Sequence, residues 1–254
     1  MGNVTGKSVI LTGGAGDIAK VVAKQFLEGG AKVLLVDLDE SNLQEAVTGL
    51  ASDNVSYCVA DVTSEPDTEK YVAAAVERYG TVDVLLANAG IEGEVKPISD
   101  YDLAMFDKVM AVNVTGPFLG IKHVFPVMAA NGGGSIVVTS SIAGLQGSPN
   151  IAPYATSKHA VIGLMRSCAK EGAAMNIRVN TVNPAPVEGR MVQSLEHGFS
   201  PEDQELVKAG MEASIPMGRY AVPSDVANLM LFLASEESAY LTGGTYTVDG
   251  GMAS

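Results

Sequence analysis

The stretch that decides the fold is Thr12-Gly13-Gly14-Ala15-Gly16-Asp17-Ile18-Ala19. The apolar run Lys7–Thr12 before it is typical of a β-strand, and Asp17–Glu28 after it has helical periodicity. Glycines at such a strand-to-helix turn let a ligand approach the backbone closely. The N–H groups at the start of the following helix attract anions. This context makes the turn a candidate phosphate-binding site.

The same alternation of strand and helix continues along the chain. The further predicted strands are Lys32–Asp37, Val55–Val59, Asp83–Ala87, Ser135–Ser140, Arg178–Val182 and Thr245–Val248. The further predicted helices are Ser41–Leu50, Glu65–Tyr79, Asp100–Ala130 with a bend or break near Gly116-Pro117, Tyr154–Ala174 and Ser224–Ala234. This order predicts an α/β fold, a doubly wound parallel Rossmann sheet of about seven strands with helices on both faces. We expect a single domain over residues 1–254.

One segment, residues 188–215, has the weakest periodicity and contains Gly189, Gly198 and Pro201. A long irregular excursion in a compact fold is usually a functional lid or a disordered loop. We therefore expect a substrate lid here.

Composition and charge exclude several classes of partner. The chain has 16 Lys and Arg against 29 Asp and Glu, a net charge of −13, and no basic run. Nucleic acid and anionic membranes are therefore poor partners. No signal-like N-terminus and no apolar run near the roughly 20 residues of a membrane span occur, which predicts a cytoplasmic protein. Two cysteines and three histidines without ligand spacing predict neither a disulfide framework nor a metal site.

Asp37, at the end of the second predicted strand, indicates which dinucleotide is bound. A carboxylate there accepts hydrogen bonds from the ribose hydroxyls of NAD and repels the 2′-phosphate of NADP. The residues after it are Leu38, Asp39 and Glu40, with no arginine to bind that phosphate. We therefore predict NAD as the cofactor. Gly13, Gly16, Asp17, Ile18 and Leu38 are the expected neighbours of its adenosine and pyrophosphate.

Two further segments end strands at the same edge of the predicted sheet. Asp61-Val62 follows the third strand, where it could meet the adenine, and Asn88-Ala89-Gly90 follows the fourth. Ligands of open α/β sheets bind beyond the carboxyl ends of the strands. Together with the glycine turn, these segments predict one continuous cleft.

The stretch Tyr154-Ala155-Thr156-Ser157-Lys158, with Ser141 before it, indicates the chemistry. Tyr154 and Lys158 lie four residues apart at the start of a long helical pattern, so they share one face. A free phenol has a pKa of about 10. A nearby ammonium favours the phenolate and is expected to lower that pKa, so that Tyr154 becomes a general base for an alcohol proton.

From about Lys7 to Met252, the chain resembles the short-chain dehydrogenase/reductase family. The motifs that carry the resemblance are Thr12-Gly13, Asn88-Ala89-Gly90, Asn113-Val114-Thr115-Gly116, Thr139-Ser140-Ser141, Tyr154-x-x-x-Lys158, Asn183-Pro184 and Asp249-Gly250-Gly251. The resemblance implies that Tyr154 is the catalytic acid/base and that Lys158 binds the nicotinamide ribose. It also implies that Ser141, rather than its neighbour Ser140, orients the substrate oxygen. Asn113 resembles the asparagine that holds a water in a proton relay.

The chain departs from the family pattern at four positions. Asp17 and Ala19 replace glycines of the first turn, and Ala185 follows Pro184 where glycine is usual. Gly189 stands where a threonine often contacts the nicotinamide carboxamide. We expect weaker cofactor binding as a result, with the nicotinamide held mainly by backbone groups near Val187.

The function expected from these observations is hydride transfer between NAD and a secondary alcohol or ketone. Expected pocket residues, besides Ser141 and Tyr154, are Ile142, Gln146, Ile151 and the stretch Met191–Phe199. A 3-oxoacyl-thioester reductase is an alternative that Asp37 disfavours, because that role commonly uses NADPH. An alternative of another class is a non-catalytic dinucleotide sensor. The family resemblance also implies a homotetramer or homodimer.

Overall fold

The structure, a computed structural model, describes residues 2–253. Within them, seven parallel strands form one sheet in the order β3-β2-β1-β4-β5-β6-β7. The strands are β1 (Ser8–Thr12), β2 (Lys32–Asp37), β3 (Val55–Val59), β4 (Val84–Ala87), β5 (Gly134–Thr139), β6 (Ile177–Pro184) and β7 (Thr245–Val248). The chain builds outward from β1 to β3 and then returns to place β4 beside β1. The carboxyl ends of β1 and β4 therefore flank the crevice at which such sheets bind ligands.

Helices cover both faces of this sheet. They are α1 (Asp17–Glu28), α2 (Glu40–Leu50), α3 (Glu65–Tyr79), α4 (Leu103–Met110), α5 (Gly116–Ala130), α6 (Ala152–Gly172), α7 (Arg190–Phe199), α8 (Gln204–Ala213) and α9 (Pro223–Ala234). Helices α1, α2 and α9 share one hydrophobic core, and α3, α5 and α6 share another. The prediction of a doubly wound α/β fold is confirmed.

The strands alternate between these two cores. Val9 and Leu11 of β1 pack with α1 and α9, whereas Ile10 between them packs with α3 and α5. All three are fully buried. Burial on both faces explains why the central strands appear in the sequence as continuous apolar runs.

The long helix predicted over Asp100–Ala130 begins later in the structure, at Leu103. The break expected near Gly116-Pro117 is a π-helical turn over Ala111–Thr115, directly before these two residues. Gly116 and Pro117 are the first residues of α5. The other predicted strands and helices agree with the observed bounds to within two residues.

Residues 188–215 are not the irregular loop that weak periodicity indicated. They form α7 and α8, which are joined by Ser200–Asp203. The apolar residues Met191, Leu195 and Phe199 lie on one face of α7 at helical spacing. This short pattern lies between glycines and polar residues, which concealed it in the sequence.

Candidate active site

The glycine turn between β1 and α1 has the shape of a phosphate cradle. Gly13 has φ +67°, and a Cβ there would lie 2.9 Å from the Cα of Ala89, so the backbones of two loops touch at this point. Gly16 precedes α1, whose first helical bond runs from the Lys20 N–H to the Gly16 carbonyl at 3.0 Å. Within residues 2–253 no side chain caps this helix. The N–H of Ile18 is thus available to an anion.

Asp37 lies beside this turn at the end of β2. Its Oδ2 accepts the Ala15 N–H at 3.1 Å, and its Oδ1 accepts the N–H of Leu38 at 2.8 Å. These two bonds hold the half-buried carboxylate against the phosphate cradle. Leu38 follows with 66% of its surface exposed, where an adenine ring can cover it. The pair therefore fits the adenosine end of a dinucleotide.

Asp61 and Val62 follow β3 at the same edge. The Asp61 Oδ1 accepts hydrogen bonds from the N–H and the hydroxyl of Thr63, both at 2.8 Å. Val62 packs against Gly116, since a Cβ added at Gly116 would lie 3.0 Å from the Val62 Cγ2. Both residues lie at the carboxyl end of the sheet. The hydrogen bond from the Ala60 N–H to the Asp37 carbonyl holds their segment next to Asp37.

Asn88 joins the ends of three strands. Its Nδ2 donates to the Thr12 carbonyl at 3.3 Å, and its Oδ1 accepts from the Thr139 hydroxyl at 3.2 Å. The Thr12 hydroxyl in turn accepts the N–H groups of Asn88 and Ala89, at 3.0 and 3.1 Å. These bonds fix the loop that carries Gly90, next to Lys158. The contribution of Thr12 was missed from the sequence, although its place before the glycines was a signal.

Tyr154 and Lys158 lie on the buried face of the first turns of α6. Tyr154 is 9% exposed and Lys158 is 4% exposed. The Lys158 Nζ donates to the Thr139 carbonyl at 2.8 Å and lies 5.5 Å from the centroid of the Tyr154 ring. The ammonium is therefore held at the end of β5, with the phenol one helical turn before it.

The pKa values correct one expectation. Burial raises the pKa of Tyr154 to about 12, and the charge of Glu92 adds to that rise. Burial also lowers the pKa of Lys158 to about 8. A hydrogen bond from Ser141 opposes the rise in the Tyr154 pKa. With the protein groups alone, the Tyr154 pKa is thus raised rather than lowered, because desolvation of the phenol outweighs the stabilisation of its phenolate.

The two neighbouring serines have different surroundings. Ser141 begins the short 3-10 helix Ile142–Gly144, where its Oγ accepts the Ala143 N–H at 3.1 Å. It also interacts with the Tyr154 phenol. Ser140 is 2% exposed, and its hydroxyl donates to the Lys158 carbonyl at 2.8 Å, inside the protein. Ser141 is thus the serine that the structure brings to Tyr154.

The side chain of Asn113 connects the loop after β4 to α6. Its Oδ1 accepts the Ile91 N–H at 2.8 Å, and its Nδ2 donates to the Ile91 carbonyl at 2.9 Å and to the Ser157 hydroxyl at 3.0 Å. Asn113 is 1% exposed and lies in the π-helical turn. These bonds place Asn113 between the loop after β4 and the first turns of α6.

An apolar wall surrounds the Tyr154 phenol. The core residues of this cluster are Ala143, Ile151, Tyr154 and Ala155, packed against Val95, Met191, Leu195 and Phe199. The predicted stretch Met191–Phe199 is therefore placed next to the phenol. Ile142 is buried in the adjoining turn, whereas Gln146 is exposed beyond it.

The backbone after β6 provides a polar edge. Pro184 ends β6 and accepts a bond from the Ser141 hydroxyl at 3.5 Å. Ala221 pairs with the neighbours of Val187, donating to the Pro186 carbonyl and accepting the Glu188 N–H, both at 2.9 Å. Within residues 2–253, the N–H and carbonyl of Val187 itself have no partner. A carboxamide would fit both groups.

Two residues near the site, Glu92 and Arg190, were missed from the sequence. Glu92 is 7% exposed and receives the Arg190 guanidinium at 3.1 Å, across from Tyr154. Asp17, singled out as a departure, binds the Arg190 backbone N–H at 2.8 Å. A lone glutamate and a lone arginine 98 residues apart leave no signal in a single sequence.

His123 and the two cysteines lie away from Tyr154 in the chain. His123 hydrogen bonds with Glu65 at 3.0 Å, and Glu69 lies near enough that the three could share an ion, although Lys122 already pairs with Glu65. Cys58 and Cys168 are free thiols.

Among the described residues, no helix is both long and apolar enough to cross a membrane.

Comparison with known proteins agrees with this geometry. A family model described as Enoyl-(Acyl carrier protein) reductase matches residues 13–253. Levodione reductase of Leifsonia aquatica is 34% identical over 98% of this chain and 94% of its own length. A solved NAD+-bound xylitol dehydrogenase superposes with a TM-score of 0.92 at 32% identity, covering 97% of this chain and 99% of the other. A 3-ketoacyl-(acyl-carrier-protein) reductase from Brucella melitensis, complexed with NADH, superposes with a TM-score of 0.91 at 30% identity, over 99% and 100% of the two chains.

The chain belongs to the short-chain dehydrogenase/reductase family. It is an enzyme of the dehydrogenase and reductase class. The resemblance inferred from the sequence motifs is confirmed.

Proposed function

We propose that the protein transfers a hydride between NAD and a secondary alcohol or its ketone. The observation that carries this proposal is the buried Tyr154 phenol, which adjoins Ser141, Lys158 and an apolar wall at the carboxyl end of the sheet. A protonated phenol in that place can give its proton to a carbonyl oxygen during reduction. In the opposite direction, its phenolate takes the proton of the alcohol.

Each neighbour of Tyr154 has a distinct part in this proposal. Ser141 holds the substrate oxygen by a hydrogen bond and keeps it at the phenol. Lys158, fixed at 2.8 Å from the Thr139 carbonyl, binds the ribose next to the nicotinamide. Asn113, through Ile91 and Ser157, positions the loop and helix on both sides of that ribose.

The proposed cofactor is NAD, held by the residues that line the cleft. Asp37 receives the adenosine ribose hydroxyls, the turn from Gly13 to Ile18 receives the pyrophosphate, and Val187 receives the carboxamide. NAD supplies the hydride acceptor and, when oxidised, a positive ring that favours the Tyr154 phenolate. The ring charge would oppose the rise that burial causes in the Tyr154 pKa.

The apolar wall favours a substrate with a hydrophobic body. Val95, Ile151, Leu195 and Phe199 offer hydrocarbon contacts on the side away from the cofactor turn. Small or alicyclic secondary alcohols suit such a pocket better than phosphorylated ones. We further propose that residues 188–215 are the substrate lid.

A 3-oxoacyl-thioester reductase is the second candidate. The Brucella melitensis relative with that activity in its name is complexed with NADH, so an NAD site does not disfavour this chemistry. A thioester substrate therefore belongs in the assay. The cytoplasmic location and the homotetramer or homodimer expected from the sequence also stay proposals.

The test is turnover by the parent protein and by Tyr154→Phe. The parent protein is mixed with NAD and a panel of cyclic and aliphatic secondary alcohols, and with NADH and the matching ketones or a 3-oxoacyl thioester. Absorbance reports the NADH formed or consumed. Tyr154→Phe should lose at least about a hundredfold in kcat, since positioned general acid/base groups contribute about 10²–10⁴-fold.

Tyr240→Phe is the matched control, because Tyr240 is fully exposed and should leave turnover unchanged. Equal rates for Tyr154→Phe and the parent would refute the proposal. NADH binding without any turnover by the parent would instead favour the non-catalytic sensor.

A further inference from the structure

Helix α7 begins against the glycine turn of the dinucleotide site. The Asp17 Oδ2 accepts the backbone N–H of Arg190, the first residue of α7, at 2.8 Å. Gly189 precedes it with φ +145°, and a Cβ at Gly189 would collide with the same carboxylate oxygen. The Asp17 side chain thus occupies the space that a side chain at position 189 would need. Two departures from the family pattern, at Asp17 and Gly189, prove to be one contact.

Two more polar contacts hold α7. The Arg190 guanidinium reaches the buried Glu92 carboxylate at 3.1 Å. Further along, the buried Glu196 accepts the Tyr220 hydroxyl at 2.8 Å. Between these anchors, the apolar face of α7 covers Tyr154. The position of the start of α7 therefore decides how closely the wall fits over the phenol.

The residue at the N-terminal cap of α7 is Gly189, which has no side chain that could accept a hydrogen bond from the helix. The acceptor at its first turn comes instead from α1, across the cleft. A carboxylate at the N-terminus of a helix satisfies a free N–H and interacts favourably with the helix dipole. Loss of that acceptor frees the first turn of α7 to fray.

We propose that Asp17 is a positioning residue that tethers the lid helix α7 to the dinucleotide turn, so that the apolar wall is in place before the substrate arrives. This inference rests on the proposed function of the Tyr154 site. A preorganised lid spares the substrate the free energy of ordering it. The tether therefore acts on substrate binding.

The experiment compares Asp17→Asn, which keeps an acceptor oxygen and removes the charge, with Asp17→Ala, which removes both. Hydrogen exchange is measured on peptides covering residues 188–199 without cofactor or substrate. In Asp17→Ala, the backbone amides of the first turn of α7 should exchange about fivefold faster than in the parent. This factor corresponds to the loss of one hydrogen bond. Asp17→Asn should stay within about twofold of the parent.

The kinetic arm measures KM and kcat for the best alcohol at saturating NAD. Asp17→Ala should raise KM for the alcohol about fivefold relative to Asp17→Asn, with both variants measured at saturating NAD. Asp102→Ala is the matched control, since Asp102 caps α4 through the Ala104 N–H at 3.1 Å and belongs to another helix. It should affect neither α7 exchange nor KM.

Unchanged exchange of α7 in Asp17→Ala overturns the tether, whatever the activity. Faster exchange with an unchanged alcohol KM also overturns it, because α7 would then be held for a reason other than substrate binding. If the parent turns over no alcohol or ketone, the proposed function fails. The exchange of α7 still reports separately whether Asp17 holds the helix.

Discussion

Exchanging Asp37 for serine is expected to shift the cofactor preference towards NADP. The Asp37 carboxylate lies at the end of β2, held by the Ala15 and Leu38 N–H groups at 3.1 and 2.8 Å. In the proposed complex it accepts hydrogen bonds from the adenosine ribose. A 2′-phosphate would occupy the same place with a charge of about −1.5 to −2.

The magnitude follows from two contributions. A hydrogen bond to a charged acceptor is worth about 1.5–3 kcal/mol, and serine restores only part of it for NAD. Repulsion between unit charges 4 Å apart is about 1 kcal/mol in water and about 4 kcal/mol near a protein surface, and serine removes it for NADP. Asp37 is half-buried, so we take a combined change of about 3 kcal/mol, or roughly a hundredfold in the ratio.

The assay is the ratio of kcat/KM with NAD to kcat/KM with NADP, measured with one alcohol. The ratio is the proper readout because losing the bond to Ala15 also loosens the glycine turn, which weakens both cofactors alike. Asp39→Ser is the control: it removes the same charge two residues away, and serine still caps α2. An unchanged ratio in Asp37→Ser, or an equal shift in Asp39→Ser, would refute this assignment.

Two further predictions concern other parts of the site. Because burial raises the pKa of Tyr154 to about 12, an ultraviolet titration of the parent minus Tyr154→Phe should show no phenolate below pH about 10, and added NAD should move its appearance to lower pH. A phenolate at pH 7 without NAD would contradict the desolvation argument. Tyr220→Phe removes the hydroxyl that serves the buried Glu196, so the free energy of unfolding in urea should fall by about 2 kcal/mol. A loss within 0.5 kcal/mol, the usual range for surface changes, would show that Glu196 needs no such donor.

The apolar periodicity of the sequence was enough to predict the sheet and most helices. Strands such as Lys32–Asp37 are buried on both faces, so nearly every residue is apolar and the run stands out. The break near Gly116-Pro117 was expected, but its π-helical form was not, because a π-helical turn has no composition of its own. The turn contains Asn113, whose side chain bonds Ile91 and Ser157, which are distant in the chain.

Some features of the candidate site could likewise be predicted from the sequence, and others could not. The motifs around Gly13, Asn88, Ser141 and Tyr154 were visible because each is a local pattern at the end of a strand or the start of a helix. The direction in which the Tyr154 pKa shifts could not be predicted from the sequence. It depends on how much water the surrounding chain removes from the phenol and from Lys158. Local spacing gives the distance between two groups and says nothing of their solvation.

The order of strands and helices, the glycine turn, Asp37 and the Tyr154–Lys158 pair could all be recognised from local patterns in the chain. The role of Asp17 could not, because its partner Arg190 is 173 residues away. The tertiary structure also decided that residues 188–215 form helices covering Tyr154. The physical reason is that periodicity and turn chemistry are short-range, whereas burial, desolvation and contacts between distant segments exist only once the chain has folded.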